Sequence, residues 1–247
     1  MIRWHEEQGI AWITLADPDR HNALDFAGIA ALQAAFQRIG NEGSARVVVL
    51  TGEGKSFCAG ARLDSVGQHD WTENPFVPLA QVIEDQPQPV ICALNGSVFG
   101  AGVDVALACD FRIGREGMRA AVPAAELGIH YPSEGIARAV RKLGPQVARR
   151  VFLTAETFDA EALLRVGYLD ALVPPDSFET EVKTLADRLA ALAPLAVQGM
   201  KQSLRSAERG DEDDAALDRI RDCFRSADHA EGLAAKREKR KPVFRGA

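Results

Sequence analysis

The stretch that most constrains this chain runs from Ile91 to Arg112, ICALNGSVFGAGVDVALACDFR. Val90 to Leu94 is a short apolar run between Pro89 and Asn95-Gly96, the pattern of a buried core strand. Gly100, Ala101 and Gly102 carry no bulky side chains, so another backbone has room to pass close to them. Val103 to Ala108 is apolar and compatible with a helix, which turns the free N–H groups of a helix start into the preceding turn. Such a start favours negative charge. Phe111 to Gly114 then reads as the next strand. Asp104 is the only charged side chain between Asp85 and Asp110. An acid alone in an apolar run calls for a chemical reason.

A second stretch, Val47 to Leu63 (VVVLTGEGKSFCAGARL), reads as a strand, a polar turn and the small-residue run Cys58-Ala59-Gly60-Ala61. Its Gly54-Lys55-Ser56 is not a phosphate loop, because the required glycine five residues before Gly54 is Val49. Gly100-Ala101-Gly102 does not extend to a dinucleotide-binding GxGxxG, and Gly96-Ser97-Val98 lacks the spacing of a nucleophile elbow.

Together these two stretches resemble the enoyl-CoA hydratase/isomerase (crotonase) superfamily. The resemblance implies an α/β fold, a crotonase-like spiral of repeated ββα units followed by an all-helical trimerisation region. Residues 1–193 would form the acyl-CoA-binding core and residues 194–247 the helical oligomerisation region. It also implies an oxyanion hole for a thioester oxygen, with one backbone N–H from Ala61 and the other from Ala101. Alanine replaces the family's usual central glycine at Ala101, which a main-chain donor tolerates. Fixed N–H groups aimed at developing enolate charge supply several kcal/mol.

By the same resemblance, Asp19 to Leu24 matches the loop that lies along the nucleotide and pantetheine of CoA. This adds Arg20, His21 and Ala23 to the expected binding residues, beside Ala59, Gly60, Ala61, Arg62, Leu63 and Gly100. Lys239, near the basic ending Glu238 to Phe244, is the residue expected to reach a neighbouring subunit's CoA. Asp104 falls on the first catalytic carboxylate, as aspartate rather than the commoner glutamate, a substitution that also resembles dienoyl-CoA isomerases. The second carboxylate falls on Ala124. Glu126 is the nearest replacement acid, with surface capping the favoured role, and His130 and Tyr131 are further candidates for lining the pocket. Coenzyme A is part of the substrate, so no separate cofactor and no metal are expected.

The rest of the chain fits this division. Its 247 residues suffice for one α/β domain with an appendage, and the net charge, 29 − 35 = −6, argues against general nucleic-acid binding. The N-terminus has no apolar signal core, and no apolar run approaches the roughly 18 residues of a membrane span. Cys58, Cys92, Cys109 and Cys223 are widely spaced, as expected of free thiols in a reducing, cytoplasmic setting.

Met1 to Leu15 reads as two strands turning at Gln8-Gly9, and Asp25 as the cap of a helix reaching about Gly40. Residues 62–89 read as polar and weakly patterned, mobile or ligand-shaped rather than packed, with a solvated loop as the favoured role of His69 and Asp70 over acid–base work. Ser133 or Glu134 is expected to cap a helix that Gly144-Pro145 divides. Asp176 starts another helix, and Leu195–Arg209, Asp211–Arg225 and Asp228–Lys239 are helical segments too small to form a core alone.

Hydration of an enoyl thioester needs an activated water and a proton delivered at Cα, whereas one carboxylate suffices for a double-bond shift. The leading expectation is therefore an acyl-CoA enzyme with Asp104 as acid/base, performing isomerisation or atypical hydration. The runner-up is a non-catalytic acyl-CoA-binding protein. A hydrolase of the related self-compartmentalising protease architecture would need a Ser–His pair that no motif supplies.

Overall fold

A computed structural model describes residues 1–42, 44–62 and 71–247. Strands β1 (Ile2–Glu7) and β2 (Ile10–Leu15) form an antiparallel hairpin turning at Gln8-Gly9. Alternation along β2 sends Ala11, Ile13 and Leu15 into one core and Ile10 and Trp12 into another. Helix α1 (Phe26–Glu42) follows, and Asp25 Oδ1 accepts from Gly28 N at 2.8 Å, the expected cap.

A repeated unit then sets the architecture. Strands β3 (Val47–Gly52) and β4 (Ser56–Cys58) precede helix α2 (Phe76–Asp85). Strands β5 (Val90–Leu94) and β6 (Ser97–Phe99) precede helix α3 (Ala101–Ala108), and β7 (Phe111–Arg115) and β8 (Arg119–Ala121) follow. The first strand of each pair joins one sheet and the second joins another. The larger sheet has the order β1-β2-β3-β5-β7-β10, parallel after the first hairpin, where β10 is Ala171–Val173. The smaller has the order β4-β6-β8-β9, where β9 is Phe158–Asp159. The turn after β6 thus lies beside the turn after β4, because their strands pair in parallel.

Helix α2 corrects the reading of residues 62–89 as an unpacked polar segment. Phe76, Leu79, Ala80 and Ile83 are buried at i, i+3, i+4 and i+7, so the end of that segment is a packed amphipathic helix. Its three apolar turns are short and flanked by prolines, which hid the periodicity. Helix α4 (Ser133–Leu153) is kinked at Gly144, where the sequence divided it. The expected cap is not used: Pro132 holds the cap position, no side chain accepts there, and Ser133 and Glu134 lie inside the first turn.

Short helix α5 (Ala160–Arg165) leads to β10, and α6 (Phe178–Ala190) starts after a 3-10 turn at Pro175–Ser177, slightly later than Asp176. Helices α7 (Pro194–Arg209), α8 (Ala216–Arg225) and α9 (Ala227–Glu238) close the chain. Helix α7 is pinned to the α/β core by ion pairs. Buried Lys201 donates to Gln88 O at 2.9 Å and to Asp110 Oδ2, Arg205 pairs with Asp85, and Arg209 Nη2 donates to Glu84 Oε2 at 2.8 Å. Among the described residues, no helix is long and apolar enough to cross a membrane.

Candidate active site

Two main-chain turns build one wall of the site. Leu24 N donates to Gly60 O at 2.8 Å and Arg62 N donates to Leu24 O at 3.0 Å, so Leu24 bridges Ala61 in parallel. In that pattern the residue between the two bonds turns its own N–H to the opposite side. The Ala61 amide therefore faces away from Leu24. The other turn lies against this one: a Cβ placed on Gly60 would sit 2.8 Å from Phe99 O and 2.9 Å from Ala101 N. Only a residue without a side chain permits this approach, and Gly60 also sits at φ +85°. Ala101 is the first residue of α3, so its N–H has no acceptor within the helix.

Ala59, Ala61, Gly100, Ala101 and Asp104 line a single cavity of about 1100 Å³, together with Ala124, His130 and Tyr131. This volume is slightly above the usual range for small-molecule sites, about 300–1,000 Å³.

A second part of the lining is made of side chains. Asp104, in the first turn of α3, is 6% exposed. Arg138 of α4 reaches it from behind, with Nη1 at 2.6 Å from Oδ1 and 2.7 Å from Oδ2. The remaining donors of the guanidinium go to Glu84 of α2, Nε to Oε1 at 2.9 Å and Nη2 to Oε2 at 3.3 Å. Glu84 then accepts from Arg209 of α7, and Arg141 stands 3.8 Å away. Burial pushes the Asp104 carboxyl above its ordinary range, and Arg138 opposes that rise. Burial acts on Glu84 as well, but the two arginines outweigh it and hold that carboxyl low. Burial, and then the charge of Asp104, push the Tyr131 hydroxyl well up, so it stays protonated.

Burial is thus the largest influence on the Asp104 carboxyl. The opposing group is the Arg138 guanidinium. Arg138 lies 34 residues downstream, beyond any local motif. Its signal is a charged residue on a buried helical stripe, with Gly135 and Ala139 as its buried companions. Asn22 was also missed as a site-building residue. It is 1% exposed and ties the expected CoA loop to the β3–β4 turn, accepting from Asp17 N at 2.8 Å and donating to Glu53 O at 3.0 Å and Ser56 O at 2.8 Å.

Among the described residues, the remaining expected ones lie outside the cavity lining. Arg20 is exposed beside Asp17, and Arg62 pairs with Asp25 at 3.1 Å. His21 O accepts from Ala59 N at 3.0 Å, so the loop carrying Arg20, His21 and Ala23 is stitched to the first amide turn. The His21 ring lies 3.0 Å from Ser56 Oγ, a Ser–His pair that no motif disclosed, but neither residue lines the cavity. Glu126 sits in a 3-10 turn (Ala125–Leu127), exposed and outside the lining. Lys239 ends α9 in a left-handed conformation and is exposed. Leu63, His69 and Asp70 lie outside the described residues. Cys58 is buried behind the first amide turn, where its sulfur accepts from Gly60 N at 3.3 Å, and burial pushes its thiol up to about 12.

Known proteins share both the sequence and this architecture. The chain is 31% identical to a crotonyl-CoA hydratase of Syntrophomonas wolfei, over 97% of this chain and 95% of that one. It is 32% identical to a probable enoyl-CoA hydratase of Mycobacterium tuberculosis over the full length of both. The crystal structure of an enoyl-CoA hydratase/carnitine racemase from Magnetospirillum magneticum superposes with a TM-score of 0.94 at 31% identity, covering 100% of this chain and 96% of that one. The sequence model of the enoyl-CoA hydratase/isomerase family matches residues 5–247, and the chain belongs to that family, with the crotonase fold.

Proposed function

We propose that this protein acts on an acyl-CoA thioester, holding the thioester oxygen between the amides of Ala61 and Ala101 while Asp104 moves a proton. The supporting observation is that both amide turns, Asp104 and Ala124 line one cavity. The names of the relatives, crotonyl-CoA hydratase among them, fit a thioester ligand. In a double-bond shift, the Asp104 carboxylate takes a proton from the carbon flanking the alkene. The electron pair moves through the conjugated carbons onto the thioester oxygen as an enolate. The same acid then returns the proton at the other end of the system, so no atom is gained or lost. Each amide donor contributes about 2.7–4 kcal/mol to such an enolate. Ala124 offers no second carboxylate to activate water, which favours isomerisation over efficient hydration.

The test is to offer the protein crotonyl-CoA, a 3-enoyl-CoA and a 2,4- or 3,5-dienoyl-CoA, then repeat with Asp104→Asn. Turnover of at least one ester, abolished by the substitution, is the expected result. A specific observation supports a second reading, a non-catalytic acyl-CoA-binding protein: Arg138 contacts both oxygens of Asp104. Binding without turnover, unchanged in the variant, would favour it.

The reading includes a division at residue 193 and self-association through the last helices, as a trimer or a dimer of trimers. Met200, Leu204, Leu217, Ile220 and Phe224 are exposed there. A cytoplasmic setting, with CoA entering only as part of the substrate, completes it.

A further inference from the structure

We infer that Arg138, braced from behind by Glu84, is the positioning residue for Asp104, fixing where its carboxylate points and whether it is charged. This rests on the reading of Asp104 as the proton-moving group. The geometry behind it is specific to a guanidinium. One nitrogen of Arg138 reaches both Asp104 oxygens at 2.6 and 2.7 Å, while the other two reach both Glu84 oxygens at 2.9 and 3.3 Å. A planar fork spans two carboxylates in this way, and the point charge of a lysine does not.

The local chain is shaped to bring the fork in. Gly135 precedes Arg138 by one turn, and a Cβ there would lie 3.1 Å from Asp104 Oδ2 and 2.6 Å from the Tyr131 ring. A larger residue would have to displace the Tyr131 ring and press on the Asp104 carboxylate. Glu84 is in turn fixed by Arg209 at 2.8 Å, so the last link comes from the C-terminal helices.

The charged and titratable groups acting on Asp104 are Arg138 and Arg141 from α4, Glu84 from α2, and Tyr131 and Tyr168. His130 and Glu134 share the cavity lining with it. Arg138 favours the ionised carboxylate and Glu84 disfavours it. This gives the inference an opposite-sign signature. Removing the guanidinium makes Asp104 hold its proton to higher pH, and removing the Glu84 charge makes it release the proton at lower pH.

The experiment measures kcat against pH for the wild type, Arg138→Met, Arg138→Lys and Glu84→Gln, on whichever of the CoA esters the wild type turns over. Arg138→Met is expected to be about tenfold slower or worse on the acid limb and to recover as pH rises. Glu84→Gln should move that limb the other way. Arg138→Lys should keep the limb near its wild-type position while kcat falls severalfold, because charge is restored without the fork. A merely structural role would lower the amount of active protein without moving any limb, and that outcome overturns the inference. Should Arg138→Met fail to fold, the Lys and Gln variants carry the same comparison.

If the wild type turns over none of the esters, the catalytic reading fails separately. The protonation of Asp104 is then followed by carbon-13 NMR of aspartate-labelled protein, its signal assigned by Asp104→Asn. An unchanged titration in Glu84→Gln and both Arg138 variants overturns the inference there too.

Discussion

The two walls of the cavity are built from different material. On one side, Ala61 and Ala101 offer main-chain amides, held by the pairing of β4 with β6 and by the Leu24 bridge. Asp104, in the same helix turn as Ala101, depends instead on a run of side chains, Arg138, Glu84 and Arg209, drawn from three helices. A main-chain donor is indifferent to the side chain it carries, provided the backbone holds its shape. Alanine at position 101 therefore leaves that wall intact. A side-chain wall changes whenever one residue does. Here the expected second acid is the methyl of Ala124, and the remaining acid is held by an arginine. On the proposed reading, the first wall would set the class of ligand and the second what happens to it.

The sharpest way to break this contrast is to cut the side-chain wall at its centre. Arg138 is 3% exposed at its side chain and stands between two buried carboxylates. Arg138→Met should destabilise the fold by about 3–5 kcal/mol, since it leaves buried charge without a partner. Urea denaturation of the single variant and of Arg138→Met with Asp104→Asn measures this, and the double variant should recover part of the loss. Equal losses in both would show that the arginine packs without pairing.

The main-chain wall is tested by Gly60→Val. Its Cβ would meet Phe99 O and Ala101 N inside contact distance and would strain the positive φ, so the two turns must separate. Turnover should fall about 10²- to 10³-fold, the loss of one oxyanion donor. The carbonyl stretch of bound crotonyl-CoA, read by infrared difference spectroscopy, should return toward its value in water whether or not turnover occurs. An unshifted stretch would remove the amide pair from the site.

The contrast also explains what was legible in the sequence. Strand–turn–helix segments advertise themselves locally: Val90–Leu94, the small residues at 100–102 and the run 103–108 lie within twenty residues of one another, and the structure places them as β5 and as α3 with its cap at Gly100. The hairpin, the Asp25 cap and the Gly144 break were readable for the same reason. Helix α2 was not, because prolines and a polar approach masked three short turns of apolar periodicity. Nor was the Asp104–Arg138–Glu84 chain, whose members approach only through the packing of α2, α3 and α4. Asn22 belongs with them: its neighbours Glu53 and Ser56 are over thirty residues away.

The smallest expected effect separates the two acids of the side-chain wall from each other. Glu84 is held below its ordinary value of 4.5 in the folded protein, so its ionised form adds stability above that pH. This contribution fades as pH falls through the lowered folded value. Asp104 has the opposite sign. Its raised folded value means that its protonation favours the fold below its ordinary 3.8, a benefit lost as pH rises through the folded value. Chemical denaturation of the wild type and Glu84→Gln as a function of pH should therefore show a stability gap that is level near neutrality and narrows below about pH 4.5. For Asp104→Asn against wild type, the pH-dependent part of the difference should begin at higher pH, where the buried acid first takes up its proton. If both gaps narrowed over the same range, the two carboxylates would share one environment. The asymmetry by which Arg138 grips Asp104 through one nitrogen and Glu84 through two would then have no energetic meaning.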